Sequence, residues 1–269
     1  MEIPVALFMS ADVVGSTAYK TAAIDADGRA LWLEAFDTLF RELPLIFIGQ
    51  VAAAGIDYDH VPRCGVWKVL GDEIIFIGMP ANRIEAELLS LAFIRTVAAY
   101  DRRIAGRTPL RIRGACWAAE LGDRNRIVEI PEMFGGSDGR AYEDFLGPDV
   151  DIGFRLSPHS VPGRVIASPN LVESLAASGA SSPLRFHLLG TRALKGVCGG
   201  HPFPLILLSC AREPFDGDAG RPVLPAAQAP DRVRQDLAAL RRELRDTHGA
   251  VMAPAVFEPT GRFPGPPPD

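Results

Sequence analysis

The chain has 269 residues, of which 48% are hydrophobic and 23% are charged, and its formal net charge is −5. This composition excludes a disordered chain, and the length allows one or two domains of about 150 residues each. Proteins that bind nucleic acid along its backbone usually carry a basic surplus, so we expect no direct nucleic-acid binding. The apolar run 43–55 is too short to span a bilayer. Four dispersed cysteines and an N-terminus without a basic leader predict a cytoplasmic protein with reduced thiols.

Apolar spacing up to residue 118 predicts alternating strands and helices. The segment VVGSTAYK predicts a tight turn, and Pro44 predicts the end of the first long helix. The predicted elements are a buried strand at 4–11 with Asp12 at its tip, a helix at 29–43, a hairpin of strands 64–68 and 74–77, a helix at 82–103 and a strand at 110–118.

Residues 121–143 are polar and glycine-bearing, with at most a short strand at 126–130, and form either a lid over a substrate or a surface elaboration. Further strands are predicted at 164–167, 186–189 and 205–209, with helices at 150–156 and 169–177. The order β-α-β-β-α-β predicts an α+β fold, an α/β sandwich whose helices pack over one sheet.

The end of the chain differs in composition, because ten of the 23 prolines fall within residues 211–269. We therefore expect a folded domain over 1–210 and a Pro-rich tail over 211–269. Within that tail, an apolar stripe in an Arg-rich segment predicts one amphipathic helix at about 231–246, which docks on the body or on a partner.

Carboxylates at two predicted strand ends are the first chemical feature. Asp12 and Asp72 could bind a pair of divalent cations, with the backbone carbonyl of Val13 as an additional oxygen ligand. Ser16 and Thr17 follow at a turn, where backbone N–H groups could meet a phosphate. Taken alone the pattern is weak, since aspartates commonly end strands and occupy turns for structural reasons.

Four motifs occur in a fixed order: FMSADVVGSTAYK, KVLGDEIIF, DFLGPDVDIGFRL and RALKG. With them the chain resembles the catalytic domain of class III nucleotidyl cyclases, the adenylate and guanylate cyclase family, over about residues 4–209. The resemblance implies a ferredoxin-like βαββαβ core. The GST-containing first motif is most similar to the bacterial Pycsar pyrimidine cyclases, which make uridylate or cytidylate messengers in anti-phage defence.

The resemblance also implies roles for individual residues. Asp12 and Asp72 match the two metal-binding aspartates, with Val13 lending its carbonyl to two Mn²⁺ or Mg²⁺ ions. Lys68 and Asp144 match the pair that reads the base. Arg155 matches the arginine that stabilises charge on the transferring phosphorus. In the family these sets come from opposite subunits, which implies a homodimer with two shared sites.

The sequence departs from the family at several positions. Asp151 stands where an asparagine usually orients the ribose; it can accept a ribose hydrogen bond but cannot donate one when ionised. Lys195 is offset by two residues from the triphosphate-binding lysine. Basic side chains of the 121–143 segment could reach phosphates or could be solvated. They are Arg124, Arg126 and Arg140.

Base choice stays open at this point, because a lysine and an aspartate together suit adenine or cytosine and can also read uracil. Strand alternation predicts that Trp67 points away from Lys68 into the core. The expected function is conversion of UTP to 3′,5′-cyclic UMP and pyrophosphate, with a separate effector protein reading the product. The alternatives are a cytidylate or adenylate cyclase, or a degenerate module that binds a nucleotide or a partner without turnover.

Overall fold

A computed structural model describes residues 4–24, 27–28, 30–56, 61–130, 142–210 and 223–257. The strands in these ranges are β1 (Val5–Val14), β2 (Cys64–Leu70), β3 (Glu73–Gly78), β4 (Arg111–Glu120), β5 (Arg126–Ile130), β6 (Tyr142–Leu146), β7 (Val165–Ala167), β8 (Leu184–Ala193) and β9 (Pro202–Cys210). The α-helices are α1 (Ser16–Ala22), α2 (Trp32–Ile56), α3 (Arg83–Ile104), α4 (Pro148–Leu156), α5 (Pro169–Ala176) and α6 (Pro230–His248).

Seven strands of the described ranges form one sheet in the order β2-β3-β1-β4-β7-β9-β8, and β5 and β6 form a separate hairpin. Strand β1 pairs antiparallel with both β3 and β4, and β7 pairs parallel to β4. The order of elements from β1 to β4 and the antiparallel order β2-β3-β1-β4 confirm the predicted α+β fold with a ferredoxin-like half.

Both faces of this sheet are covered, so its central strand is buried almost throughout. Alternate residues of β1 point to opposite faces. Leu7 and Met9 contribute to a core beneath the helices α2, α3 and α5, whereas Phe8 contributes to a second core beneath α4. The sheet therefore separates two apolar layers, and the residues available for binding or catalysis lie at the ends of its strands.

Two local predictions at the start of the chain are wrong. Helix α2 does not end at Pro44 but continues through it to Ile56, because Leu43, Phe47 and Val51 bury one continuous face against the sheet. That burial outweighs the backbone hydrogen bond that proline removes. The predicted turn after β1 is confined to Gly15, which has a left-handed φ of 86°, and α1 begins at the next residue.

The polar segment after β4 contains the predicted strand β5, and the structure adds β6, which the sequence did not predict. The residues between them, 131–141, lie outside the described ranges. The two strands pair antiparallel from Arg126 opposite Leu146 to Ile130 opposite Tyr142. The hairpin stands next to β2 rather than within the main sheet.

Helix α6 packs on the body through its apolar stripe. Val233 and Leu237 join the core beneath α2, α3 and α5, while Leu244 and the following Met252 join the core beneath α4. None of the helices in the described ranges combines the length and apolar character that crossing a bilayer requires.

Candidate functional site

Asp12 lies on the central strand β1 between two charged cross-strand neighbours. Its register partners are Glu73 on β3 and Arg113 on β4. Arg113 donates to Oδ2 of Asp12 from Nε at 2.8 Å and from Nη2 at 2.6 Å. Opposed residues on antiparallel strands have closely spaced Cβ atoms, so the sheet register brings these side chains together. Asp12 is thus inside the strand, two residues before its end, rather than at the tip.

Asp72 occupies the two-residue turn of the β2–β3 hairpin. Gly71, the other turn residue, has a left-handed φ of 67°, which glycine adopts without steric cost. Lys20 of α1 places Nζ 3.7 Å from Oδ1 of Asp72 and 4.4 Å from the centre of the Phe36 ring. The residue after this turn faces Asp12 across the sheet, so Asp12 and Asp72 lie at the same end of neighbouring strands.

Glu73 adds a third carboxyl group beside these two. It accepts a hydrogen bond from the hydroxyl of Ser10 on β1. Burial raises the pKa of Glu73 most, the Ser10 hydrogen bond lowers it, and the negative charges of Asp12 and Asp72 raise it further. Because burial is the largest cause, the shift reflects mainly the removal of this carboxyl group from solvent, and the positive charge of Arg113 partly offsets the effect of the two aspartates.

The donor chemistry of Asp12 and Asp72 fits divalent cations such as Mg²⁺ or Mn²⁺, which prefer oxygen ligands. Their side chains are 19% and 24% exposed, so an ion from solvent can reach both. Among the described residues, no group of three or more His, Cys, Asp or Glu side chains is arranged to hold a metal ion. The remaining ligands would therefore be backbone oxygen, substrate oxygen and water, as is usual for Mg²⁺.

A second polar group lies where β2 meets β6. Lys68 donates from Nζ to Oδ1 of Asp144 at 2.6 Å, and that oxygen also accepts the backbone N–H of Phe145 at 2.8 Å. The Lys68 ammonium stands 3.9 Å from the centre of the Trp67 ring. The prediction that Trp67 points away from Lys68 is wrong, because a register irregularity between Val66 and Lys68 interrupts the alternation of β2.

Trp67 nonetheless also packs against the core, as predicted. Its ring centre lies 5.1 Å from that of Phe8 and 5.2 Å from that of Phe145, and its indole N–H donates to the carbonyl of Glu143 at 3.3 Å. The indole ring therefore supports the Lys68 side chain. Through its contact with Phe8, it also links the Lys68–Asp144 ion pair to the packing of β1.

Helix α4 carries Asp151 and Arg155 on an exposed face, four residues apart. The opposite face is pressed onto the sheet at Gly153, where even a Cβ atom would meet the Trp117 ring at 1.9 Å. Within the described ranges, neither Asp151 nor Arg155 has an ion pair or a side-chain hydrogen bond. The structure thus separates Arg155 from direct pairing with Asp12 or Asp72 of the same chain.

The N-terminus of α4 is anchored by a buried polar network that the sequence did not reveal. Asp149 is 2% exposed and accepts hydrogen bonds from Arg124 and Asn125, both at 2.8 Å. Its own N–H donates to Oδ1 of Asn125 at 3.0 Å. Arg124 also donates to the carbonyl of Val251, after α6, at 3.2 Å. Its guanidinium is therefore engaged in structural contacts within the chain.

The other predicted site residues are distributed as follows. Val13 follows Asp12 on β1 with its side chain buried, and Ser16 and Thr17 begin α1 directly behind that strand. Lys195 is exposed just after β8. Arg126 is exposed and 3.9 Å from Asp123, which agrees with a solvated surface arginine, and Arg140 lies outside the described residues.

Sequence reasoning missed Arg113, Lys20 and Glu73, the three charged residues that contact or flank the two aspartates. The signal for Arg113 was its position in RIRGACW, where charged residues alternate with apolar ones at the start of a strand. Its partner is 101 positions away in the chain, so only the strand register identifies it.

Comparison with known proteins gives the fold a wider context. No protein-family model matches the chain, and none of the curated proteins matches it. Among solved structures, the adenylyl cyclase CyaB from P. aeruginosa superposes with a TM-score of 0.52 at 16% identity, covering 80% of this chain and 98% of that one. The catalytic core of a rhodopsin-guanylyl cyclase with converted specificity, in complex with ATPαS, superposes with a TM-score of 0.51 at 12% identity, covering 78% and 97%. The chain therefore has the fold of the adenylyl and guanylyl cyclase catalytic domain.

Proposed function

We propose that the chain is a nucleotidyl cyclase that converts UTP to 3′,5′-cyclic UMP and pyrophosphate with two Mn²⁺ or Mg²⁺ ions. The observation that carries this proposal is the placement of Asp12 and Asp72 at one end of neighbouring strands in a cyclase-type fold. The two carboxylates are accessible and of the right chemistry for the divalent cations that two-metal catalysis requires.

In this reaction the 3′-oxygen of the ribose attacks the α-phosphorus, and pyrophosphate leaves. Divalent cations at Asp12 and Asp72 would supply activation of the hydroxyl and neutralisation of the phosphates. The chain itself would position the reactants and stabilise charge. The positively charged side chain of Arg155 is exposed on α4, where a triphosphate can approach it. Asp151, four residues earlier on the same face, would accept a hydrogen bond from a ribose hydroxyl.

Lys68 and Asp144 present one donor and one acceptor to a base. Lys68 keeps N–H groups beyond the one it gives Asp144, and Asp144 keeps Oδ2 beyond the oxygen that it shares with Lys68 and Phe145. Uracil would accept a hydrogen bond from Lys68 at O4 and donate its N3–H to Asp144. Cytosine and adenine would instead accept from Lys68 at a ring nitrogen and donate to Asp144 from the exocyclic amine. The preference for UTP rests on the resemblance of the first motif to the pyrimidine cyclases.

The separation of Arg155 from Asp12 and Asp72 within one chain supports the expected homodimer with shared sites. An apolar surface beside Lys68 supports it, since contiguous exposed apolar patches mark interaction sites. Val66 on β2 and Ile127 on β5, which are 47% and 43% exposed, line one groove there together with Met79, which is 39% exposed. A second copy seated there would bring its Asp12 and Asp72 toward the base-reading pair. The cyclic product would act as a messenger, read by a separate effector protein in anti-phage defence.

The test is incubation of the purified protein with each of the four nucleoside triphosphates and Mn²⁺ or Mg²⁺, followed by mass spectrometry. Cyclic UMP is the expected main product. Asp12→Ala should lower the rate by at least about 100-fold, because it removes a positioned charge of the site. Asp236→Ala is the matched control, since Asp236 is an exposed carboxylate that pairs with Arg232 on α6 and contacts none of the site residues that the structure describes. Cyclic CMP or cyclic AMP as the main product would refute the base assignment, and no cyclic product with any nucleotide would refute the enzyme.

Shared sites can be tested separately by mixing two inactive variants. Asp72→Ala and Arg155→Ala disable different halves of the proposed site, so mixed dimers should regain activity at one of their two sites. Failure to recover activity after subunit exchange has been demonstrated would contradict the shared arrangement while leaving the activity itself in place.

A further inference from the structure

Arg113 is bound to Asp12 more firmly than an ordinary surface arginine would be. Its guanidinium donates from Nε and Nη2 to Oδ2 of Asp12, at 2.8 and 2.6 Å, and from Nη1 to the carbonyl oxygen of Pro158, at 2.9 Å. The side chains of Arg113 and Asp12 are 22% and 19% exposed. A guanidinium held at three nitrogens has a fixed position, so its charge stays at the carboxylate rather than swinging into solvent.

This contact matters because both donors converge on a single oxygen of the proposed metal ligand. A divalent cation on Asp12 would have to share the carboxylate with the guanidinium or displace it. Like charges a few ångströms apart repel, and the repulsion is screened less at a partly buried site than at the surface. Arg113 therefore lowers the affinity of this carboxylate for a cation.

A triphosphate changes this balance. Its negative charge, placed at the same end of the sheet, offsets the charge of Arg113 and supplies oxygen ligands that the chain lacks. The repulsion between Arg113 and a metal ion is then smaller than in the protein alone. Pro158, the other anchor of Arg113, lies in the turn that directly follows α4, the helix of Asp151 and Arg155.

We propose that Arg113 is a positioning residue that competes with divalent cations for Asp12, so that metal binds weakly to the protein alone and more tightly together with the nucleotide. This inference rests on the proposed function, because it concerns the metal site of that reaction. It goes beyond the reaction itself because it predicts that the metal ion binds together with the nucleotide rather than before it.

The experiment is a calorimetric titration of Mn²⁺ into the full chain and its variants, with and without the non-hydrolysable analogue α,β-methylene-UTP. Without the analogue, Arg113→Gln should bind Mn²⁺ about tenfold more tightly than the unaltered protein. With the analogue, the difference should shrink to less than about threefold, because the analogue's charge offsets the guanidinium. Asp12→Asn is the control that should weaken Mn²⁺ binding in both conditions, after the heat of Mn²⁺ binding to the analogue alone has been subtracted.

Arg113→Lys is the conservative variant and the safeguard against misfolding of Arg113→Gln. Lysine keeps the positive charge but loses the multiple contacts of the guanidinium, so its Mn²⁺ affinity should lie between those of the unaltered protein and Arg113→Gln. Equal or weaker Mn²⁺ binding by Arg113→Gln, or tenfold tighter binding by Arg113→Lys, would overturn the competition. If none of the folded proteins bound Mn²⁺ even with the analogue, the metal site would fail, and the proposed function would fail with it.

Discussion

Replacement of Gly153 by alanine should displace the helix that carries Asp151 and Arg155. The added Cβ would lie 1.9 Å from Cδ2 and 2.1 Å from Cε2 of Trp117, against at least 3.4 Å for ordinary contact, so α4 or the indole must move by about 1.5 Å. Trp117 cannot give way easily, because it is 0% exposed and its ring is stacked on Phe8, with ring centres 5.4 Å apart.

The expected cost is that of an overpacked core, about 1–3 kcal/mol in the free energy of unfolding. If the chain is a cyclase, turnover should also fall about 100-fold, since a displacement of about 1 Å has this effect on positioned catalytic groups. Urea unfolding followed by tryptophan fluorescence measures the first quantity, and product formation from the preferred nucleotide measures the second.

Gly49→Ala is the matched control. Gly49 lies inside α2, and a Cβ atom added there would meet no other atom within 4 Å, so alanine should stabilise the protein by about 0.5–1 kcal/mol. Combining Gly153→Ala with Trp117→Leu should cost less than the sum of the two single changes, because the second removes the obstacle to the first. A Gly153→Ala protein as stable as the unaltered one would refute the close packing of α4 on Trp117.

Two further predictions concern stability alone. Leu244→Ala in α6 should lower the free energy of unfolding by about 2–5 kcal/mol, because Leu244 is 2% exposed in the core beneath α4. Glu243→Ala, on the exposed side of the same helix, should change the free energy of unfolding by less than about 0.5 kcal/mol. Equal effects of the two changes in urea titrations would contradict the docking of α6. Burial, with a smaller contribution from the charge of Glu42, raises the pKa of Tyr100 from 10.0 to about 12. The folded chain then holds this proton more tightly than the unfolded chain, so its contribution to stability is lost as the pH rises from about 10 to about 12, and Tyr100→Phe should lose less stability than the unaltered protein over this window. Identical losses would show that Tyr100 does not contribute.

Much of the architecture was accessible to sequence reasoning because it rests on local signals. Apolar spacing predicted α3, and the tetrapeptide Leu70-Gly71-Asp72-Glu73 between two apolar runs predicted the β2–β3 hairpin. The failures have specific causes. The prediction that α2 ends at Pro44 was wrong because it considered only the backbone hydrogen bond that proline removes. It did not include the burial of Phe47 and Val51 in the following turns. The alternation rule misplaced Trp67 because a bulge in β2 is invisible in the residue pattern.

The amino-acid sequence by itself predicted most of the strands and helices and singled out Asp12 and Asp72 as candidates for metal binding, and the resemblance of its motifs added Lys68 and Asp144. Only the tertiary structure decided what surrounds them. Arg113 meets Asp12 because β1 and β4 pair in one register, and a shift of one residue would turn Arg113 to the other face of the sheet. That register is the result of packing over the whole sheet, which no local stretch of sequence contains.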